Sequence, residues 1–121
     1  ELGLADNVEM VGFQKNPYKY MACSKIFMLT SDWEGYGLVA FEALTLGLPC
    51  IVSNVGGLPK IVDDSCGMLC NKAGDFVHEA IELLNDSNKY VSKSKNAVKK
   101  SKKIENIVTY INKIDDIYSN L

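Results

Sequence analysis

The sequence predicts an α/β fold: a parallel sheet with flanking helices. Short unbroken apolar runs, Ile26-Phe27-Met28-Leu29 and Pro49-Cys50-Ile51-Val52, have the pattern of strands covered on both faces, and segments of helical spacing stand between them. The connections are short, and parallel neighbours need a crossover between them, so strand and helix must alternate in layers.

Val8-Glu9-Met10-Val11-Gly12-Phe13 alternates loosely and ends near Gly12, which predicts a short first strand. Asn16-Pro17 then starts a short helix, with Pro17 in its first turn and Tyr18, Met21 and Ala22 toward one face. After the run at 26–29 comes a polar, glycine-rich loop, Thr30 to Gly37. Leu38 to Leu46 reads as a helix with Ala40, Phe41 and Leu44 near a common face and Gly47 as its stop. Gly56-Gly57-Leu58-Pro59 is a turn, Lys60-Ile61-Val62 a brief helical piece, and Gly67-Met68-Leu69-Cys70 a last short strand. Asp75 is placed to cap a helix from Phe76 to Leu84, where Val77, Ala80, Ile81 and Leu84 fall at helical spacing. From Ser87 onward the chain reads as helix, Lys-rich at first and then amphipathic through Ile104, Ile107, Val108, Ile111, Ile114 and Ile117.

Composition narrows the partners. The 121 residues are 47% hydrophobic and 23% charged, which suits one globular domain, and a formal net charge of -2 gives no reason to expect nucleic acid. No run of eighteen or more apolar residues suggests a membrane span, and the opening Glu1-Leu2-Gly3-Leu4 lacks the pattern of a signal peptide. Cys23, Cys50, Cys66 and Cys70 sit in apolar stretches without C-x-x-C spacing, so they are expected to be reduced, mostly buried thiols and the chain cytoplasmic; Cys66 with Cys70 is the one disulfide candidate. His78, the only histidine, is expected on a helix surface. Seven lysines fall between residues 89 and 103. They read either as a solvated helix face or as a basic patch for peripheral contact with an anionic membrane surface.

Ligands of parallel sheets bind beyond the carboxyl ends of the strands, which directs attention to the loops after Val11, Leu29 and Val52. The stretch Ser31-Asp32-Trp33-Glu34-Gly35-Tyr36-Gly37-Leu38-Val39-Ala40-Phe41-Glu42 follows such a strand end. Its glycines let backbone approach a ligand, and the N–H groups of the first helical turn with the helix dipole favour phosphate. Glu34 before the helix and Glu42 within it can face one pocket, and a carboxylate there suits a sugar diol. The same features also serve a bare helix start and turn. Trp33 and Tyr36 either line a sugar pocket or pack.

Glu34-Gly35-Tyr36-Gly37-Leu38-Val39, Glu42-Ala43-Leu44, Gly47-Leu48-Pro49 and Gly56-Gly57-Leu58-Pro59, in this order and spacing, resemble the C-terminal domain of GT-B-fold retaining glycosyltransferases of family 4 (glycosyltransferase group 1). Val11-Gly12-Phe13 and Asn16-Pro17-Tyr18 are also similar, so the resemblance covers about residues 1 to 85. It implies a Rossmann-like sheet that is part of the C-terminal half of a GT-B fold. It further implies transfer of a glycosyl group from a nucleoside-diphosphate sugar with the anomeric configuration kept. Glu42 would hold the donor ribose, and the backbone at Gly37, Leu38 and Val39 would meet the diphosphate. Glu34 would act at the transferred sugar as the catalytic residue, with Gly35 and Tyr36 beside it, and Phe13 and Gln14 would meet the nucleobase. No D-x-D pair stands in the donor loop, so no metal and no cofactor beyond the sugar nucleotide is expected. Where that family usually has an acid after the G-G-x-P turn, this chain has Lys60. The resemblance also implies that the N-terminal acceptor domain and the opening strand and helix of the donor domain, with their Arg and Lys for the diphosphate, lie outside residues 1–121, making the chain a fragment inactive by itself. Two rivals remain: a non-catalytic nucleotide-sugar or protein-binding module, and another GT-B activity such as an epimerase or phosphorylase.

Overall fold

A computed structural model describes the backbone of residues 2–119 and the side chains of residues 2–104. Its elements are α1 (Tyr18–Ala22), β1 (Phe27–Leu29), α2 (Leu38–Thr45), β2 (Cys50–Ser53), α3 (Leu58–Ile61), β3 (Gly67–Cys70), α4 (Ala73–Asn85) and α5 (Ser87–Ser119). The strands form one parallel sheet in the order β1-β2-β3, with Met28 beside Ile51 and Ile51 beside Met68. The α/β parallel sheet with flanking helices is therefore present.

The pleat sends alternate residues of β2 to opposite faces. Cys50 and Val52 join Ala40, Ala43, Leu44, Leu58, Ile61 and Ala97 in a core beneath α2, α3 and α5, whereas Ile51 joins Cys70, Phe76 and Leu83 beneath α4. Leu44, Ile51 and Ile61 are wholly buried, each adding roughly 1.5–3 kcal/mol by leaving water. The unbroken apolar run of the central strand has its cause here, since both faces are covered.

The structure corrects or refines four expectations. Residues 8–13 form no strand, and Met10 and Phe13 are each 91% exposed. An extended segment becomes a strand only against a partner, and among the described residues none pairs with it. At β1, Met28 is exposed rather than covered, because α4 packs over β2 and β3 while β1 lies at the sheet edge. α4 buries Phe76, Glu79 and Leu83, leaving Val77, Ile81 and Leu84 exposed. Two apolar stripes one residue apart run along this helix, and periodicity cannot say which meets the sheet. The helix begins at Ala73 rather than Phe76, so Asp75 is its third residue and caps it from within, its carboxylate accepting from the N–H groups of Asn71 at 2.9 Å and Lys72 at 3.2 Å.

Three lysines of the basic segment turn inward. Lys93 donates to the carbonyls of Asp64 and Gly67, Lys89 pairs with Glu79 and Glu82, and Lys100 with Asp63. Partial burial by itself would raise the Asp63 carboxyl, but hydrogen bonds from Lys100 and Ser65 outweigh it and hold the group at about 2. Lys95, Lys99, Lys102 and Lys103 stay exposed. α5 is helical as expected, although the apolar positions Ile107 to Ile117 lie outside the described side chains.

All four cysteines are free, and burial raises the thiols of Cys50, Cys66 and Cys70. Cys50, Cys66 and Cys70 are buried and Cys23 is exposed, in keeping with mostly buried thiols. No helix among the described residues is long and apolar enough to cross a membrane.

Candidate donor-binding site

The loop from Ser31 to Gly37 leaves β1 at its carboxyl end and turns into α2 at Gly37, whose φ of 82° lies in the left-handed region. A side chain there would be strained and would also meet Leu58. The first bonds toward the helix come from Ala40 and Phe41 to the Gly37 carbonyl, at 3.0 and 3.2 Å. Leu38 and Val39 precede those bonds, so their N–H groups are the open donors of the helix start. Both residues are exposed, at 63% and 38%, so a ligand can reach them.

What fixes this loop is the Gly56-Gly57 turn after β2. The Gly57 N–H donates to the Gly35 carbonyl at 2.8 Å and to that of Glu34 at 3.4 Å. The two backbones touch: a Cβ on Gly56 would lie 1.6 Å from the Glu34 carbonyl oxygen, and one on Gly57 would lie 2.4 Å from that of Gly35. The two glycine motifs, some twenty residues apart, are thus two sides of one contact, and absent side chains let it close. Pro59 and Lys60 lie beyond it, exposed on α3.

Glu42 is half-buried on α2, beside the buried Ala43 and Leu44. Its Oε1 accepts a hydrogen bond from the Tyr18 hydroxyl at 3.0 Å. The hydrogen bond and the negative charge of Glu42 raise the Tyr18 phenol above its ordinary value, so it remains a donor at neutral pH. Sequence reasoning missed this contact, because 24 residues separate the pair and no local pattern joins them.

Glu34 is half-buried, its main chain held by the Gly57 contact. Trp33 at 79% and Tyr36 at 43% exposure stand at the surface, so neither is a core residue. Gln14 is half-buried and donates to the Val11 carbonyl at 2.7 Å, holding its own loop. Phe13 projects into solvent; no hydrogen bond among the described residues ties its loop to the start of α2.

A cleft of about 380 Å³ opens at the carboxyl ends of the three strands, lined by Ser31, Asp32, Asn54, Asn71 and Lys72 among others. It takes in the start of the Ser31–Gly37 loop and leaves Glu34 and Glu42 outside its walls. We place the candidate site at α2 rather than in this cleft, because the open N–H donors and the Tyr18-held carboxylate are both at α2. A cluster of His78, Glu79 and Glu82 on α4 brings ligand atoms within 4.8 Å of one another. The Lys89 ammonium contacts one oxygen of each carboxylate, so a cation there would compete with a charge already in place. His78 is on the helix surface, as expected.

A half-buried carboxylate, a helix start with open N–H groups and a loop locked by paired glycines thus stand together beside the parallel sheet. The chain belongs to the glycosyl transferases group 1 family, which it matches over residues 1–113. It is 38% identical over 89 residues to the N-acetyl-alpha-D-glucosaminyl L-malate synthase of Bacillus anthracis, covering 70% of this chain and 23% of that protein. It is 31% identical over its whole length to the UDP-Gal:alpha-D-GlcNAc-diphosphoundecaprenol alpha-1,3-galactosyltransferase of Escherichia coli, covering 32% of that protein. The chain thus spans less than a third of the length of these relatives. The solved structure of Anabaena Alr3699/HepE in complex with UDP-glucose superposes with a TM-score of 0.85 at 23% identity, over 99% of this chain and 34% of that one. Sucrose-phosphate synthase from Thermosynechococcus elongatus superposes with a TM-score of 0.79 at 25% identity, over 98% of this chain and 32% of that one. These neighbours bear out the fold class, with this chain matching part of a larger GT-B architecture.

Proposed function

We propose that this chain supplies the donor-binding half of a glycosyltransferase that takes its sugar from a nucleoside diphosphate and keeps the anomeric configuration, as in family 4. The observation that carries the reading is the pairing of an open α2 helix start with Glu42 on the same helix. Leu38 and Val39 N–H groups, with the helix dipole, stabilise the charge that develops on the departing diphosphate. Glu42 grips the ribose diol. Glu34, seated by Gly57, stands toward the transferred sugar. The helix N–H groups are what this chain offers the diphosphate where other enzymes place a metal; cations from elsewhere in the protein would add to them. Phe13 is exposed and ready to stack on a base.

Relatives named for UDP-galactose and solved with UDP-glucose make uridine diphosphate the first nucleotide to test. Calorimetric titration of UDP-, GDP- and ADP-sugars should show a preference for one nucleotide, and Glu42→Ala should weaken that binding about tenfold or more. Equal affinity for all three nucleotides, or an unaltered Glu42→Ala, would exclude the donor site. Nucleotide binding without transfer in the complete protein would favour a non-catalytic module.

The exposed lysines of α5 carry a further expectation. Lys95, Lys99 and Lys102 recur at helical spacing, with Lys103 adjacent. We propose peripheral contact with anionic membrane through this stripe. Sedimentation with vesicles containing phosphatidylglycerol should carry the protein down at low salt and release it at moderate salt. Neutral vesicles should not bind it, and equal behaviour with both lipids would end the idea.

A further inference from the structure

We propose that Tyr18 is a positioning residue for the donor ribose: its hydroxyl holds Oε1 of Glu42 so that Oε2 is presented to the sugar hydroxyls, and selectivity for ribose over deoxyribose depends on this contact. The proposal rests on the donor reading of Glu42.

Tyr18 is well held for this work. It opens α1, its N–H donates to the Asn16 side-chain oxygen at 3.2 Å, and Pro17 fixes the turn with φ at -72°. Met21, one turn on, is buried in the larger core and anchors the helix. From this base the hydroxyl reaches Glu42 Oε1 at 3.0 Å. Both side chains remain open enough for a ligand to reach them.

An ionised carboxylate only accepts hydrogen bonds, and a ribose diol only needs acceptors from it. Left alone, Glu42 samples several rotamers, and binding must select one. A tyrosine already bonded to one oxygen makes that selection before the nucleotide arrives, and preorganisation of this kind appears as affinity. The second oxygen, with its lone pairs, is left for the ribose, and among the described residues no other donor contacts the Glu42 carboxylate. Removing the phenol oxygen should therefore weaken the hold on ribose while leaving the diphosphate and base contacts as they were. Damage to the fold would lower all nucleotide binding alike.

The test uses UDP and 2′-deoxy-UDP as probes, titrated by calorimetry and ligand-observed NMR into wild type, Tyr18→Phe, Glu42→Gln and the double variant, with thermal melts as a folding check. Wild type should favour UDP by about tenfold. In Tyr18→Phe the UDP affinity should fall roughly three- to tenfold with 2′-deoxy-UDP affected less than about twofold, and the double variant should be no weaker than Glu42→Gln alone. A ratio of the two affinities that Tyr18→Phe leaves unchanged overturns the proposal, whether both affinities fall or neither does. If Glu42→Gln changes the ratio and Tyr18→Phe does not, the donor reading stands and the Tyr18 proposal fails. If neither changes it, or wild type shows no UDP binding at millimolar ligand, the donor reading itself fails.

Discussion

Gly56→Ala is expected to abolish nucleotide binding and to cost roughly 3 kcal/mol of stability or more. The position has φ at +54°, where an L side chain is strained, and the added Cβ would lie 1.6 Å from the Glu34 carbonyl oxygen. A flexible side chain could swing aside, but a carbonyl cannot move without taking its loop along. That loop leads into the α2 start, so the stability loss and the loss of the site share one cause. Two alanine substitutions serve as controls. At Gly35 the nearest atom to a new Cβ is the Trp33 ring at 3.8 Å, an ordinary contact. At Gly74, inside α4, nothing lies within 4 Å, and alanine should raise stability by about 0.5–1 kcal/mol. Urea unfolding with nucleotide titration on the same samples would check all three. Gly56→Ala with wild-type affinity would mean that the turn does not seat the donor loop.

What could be read from the sequence was what local pattern determines. The runs ending at Leu29 and Val52 and the run from Gly67 to Cys70 became parallel strands, because short unbroken apolar segments between glycines have few other uses in such a fold. The helix start after Gly37 was readable for the same reason, since Gly37 and the apolar spacing behind it are neighbours in sequence. Long-range matters were not. Val8 to Phe13 has the alternation of a strand, yet pairing is a property of two segments, and a sequence shows only one. α4 displays two apolar stripes, and choosing between them requires the position of the sheet. The G-G-L-P motif was visible as a turn, whereas its reason, the passage of the Glu34 backbone against it, was not. Tyr18 belongs with these cases. A tyrosine after a helix-starting proline carries no mark of a carboxylate twenty-four residues away.

The lysines of α5 show the same boundary through energy, and Lys93→Met carries the second large effect, a loss of about 3 kcal/mol. A helical run of lysines reads as a solvated face, but the Lys93 side chain is only 11% exposed. Its ammonium donates to the carbonyls of Asp64 at 2.8 Å and Gly67 at 2.7 Å, and it lies 3.5 Å from Glu79 Oε1. That oxygen has no hydrogen-bond partner, so the approach of Lys93 answers its charge without satisfying it as an acceptor. Methionine keeps the apolar stem and removes the charge, leaving two carbonyls short of a donor and the buried Glu79 with Lys89 alone. The companion substitution Lys95→Met, at an exposed position, should stay within about 0.5 kcal/mol of wild type. Glu79→Leu added to Lys93→Met should recover part of the loss, because a buried carboxylate left with one cation instead of two costs more than an apolar replacement of the pair. Urea unfolding of the four proteins decides it. No recovery in the double variant would place the cost in the two carbonyls, whereas equal effects of Lys93→Met and Lys95→Met would return the segment to a solvated face. Lys93 has no contact with Glu42 or the α2 start, so nucleotide affinity measured well below the unfolding transition should be the same in every variant that folds.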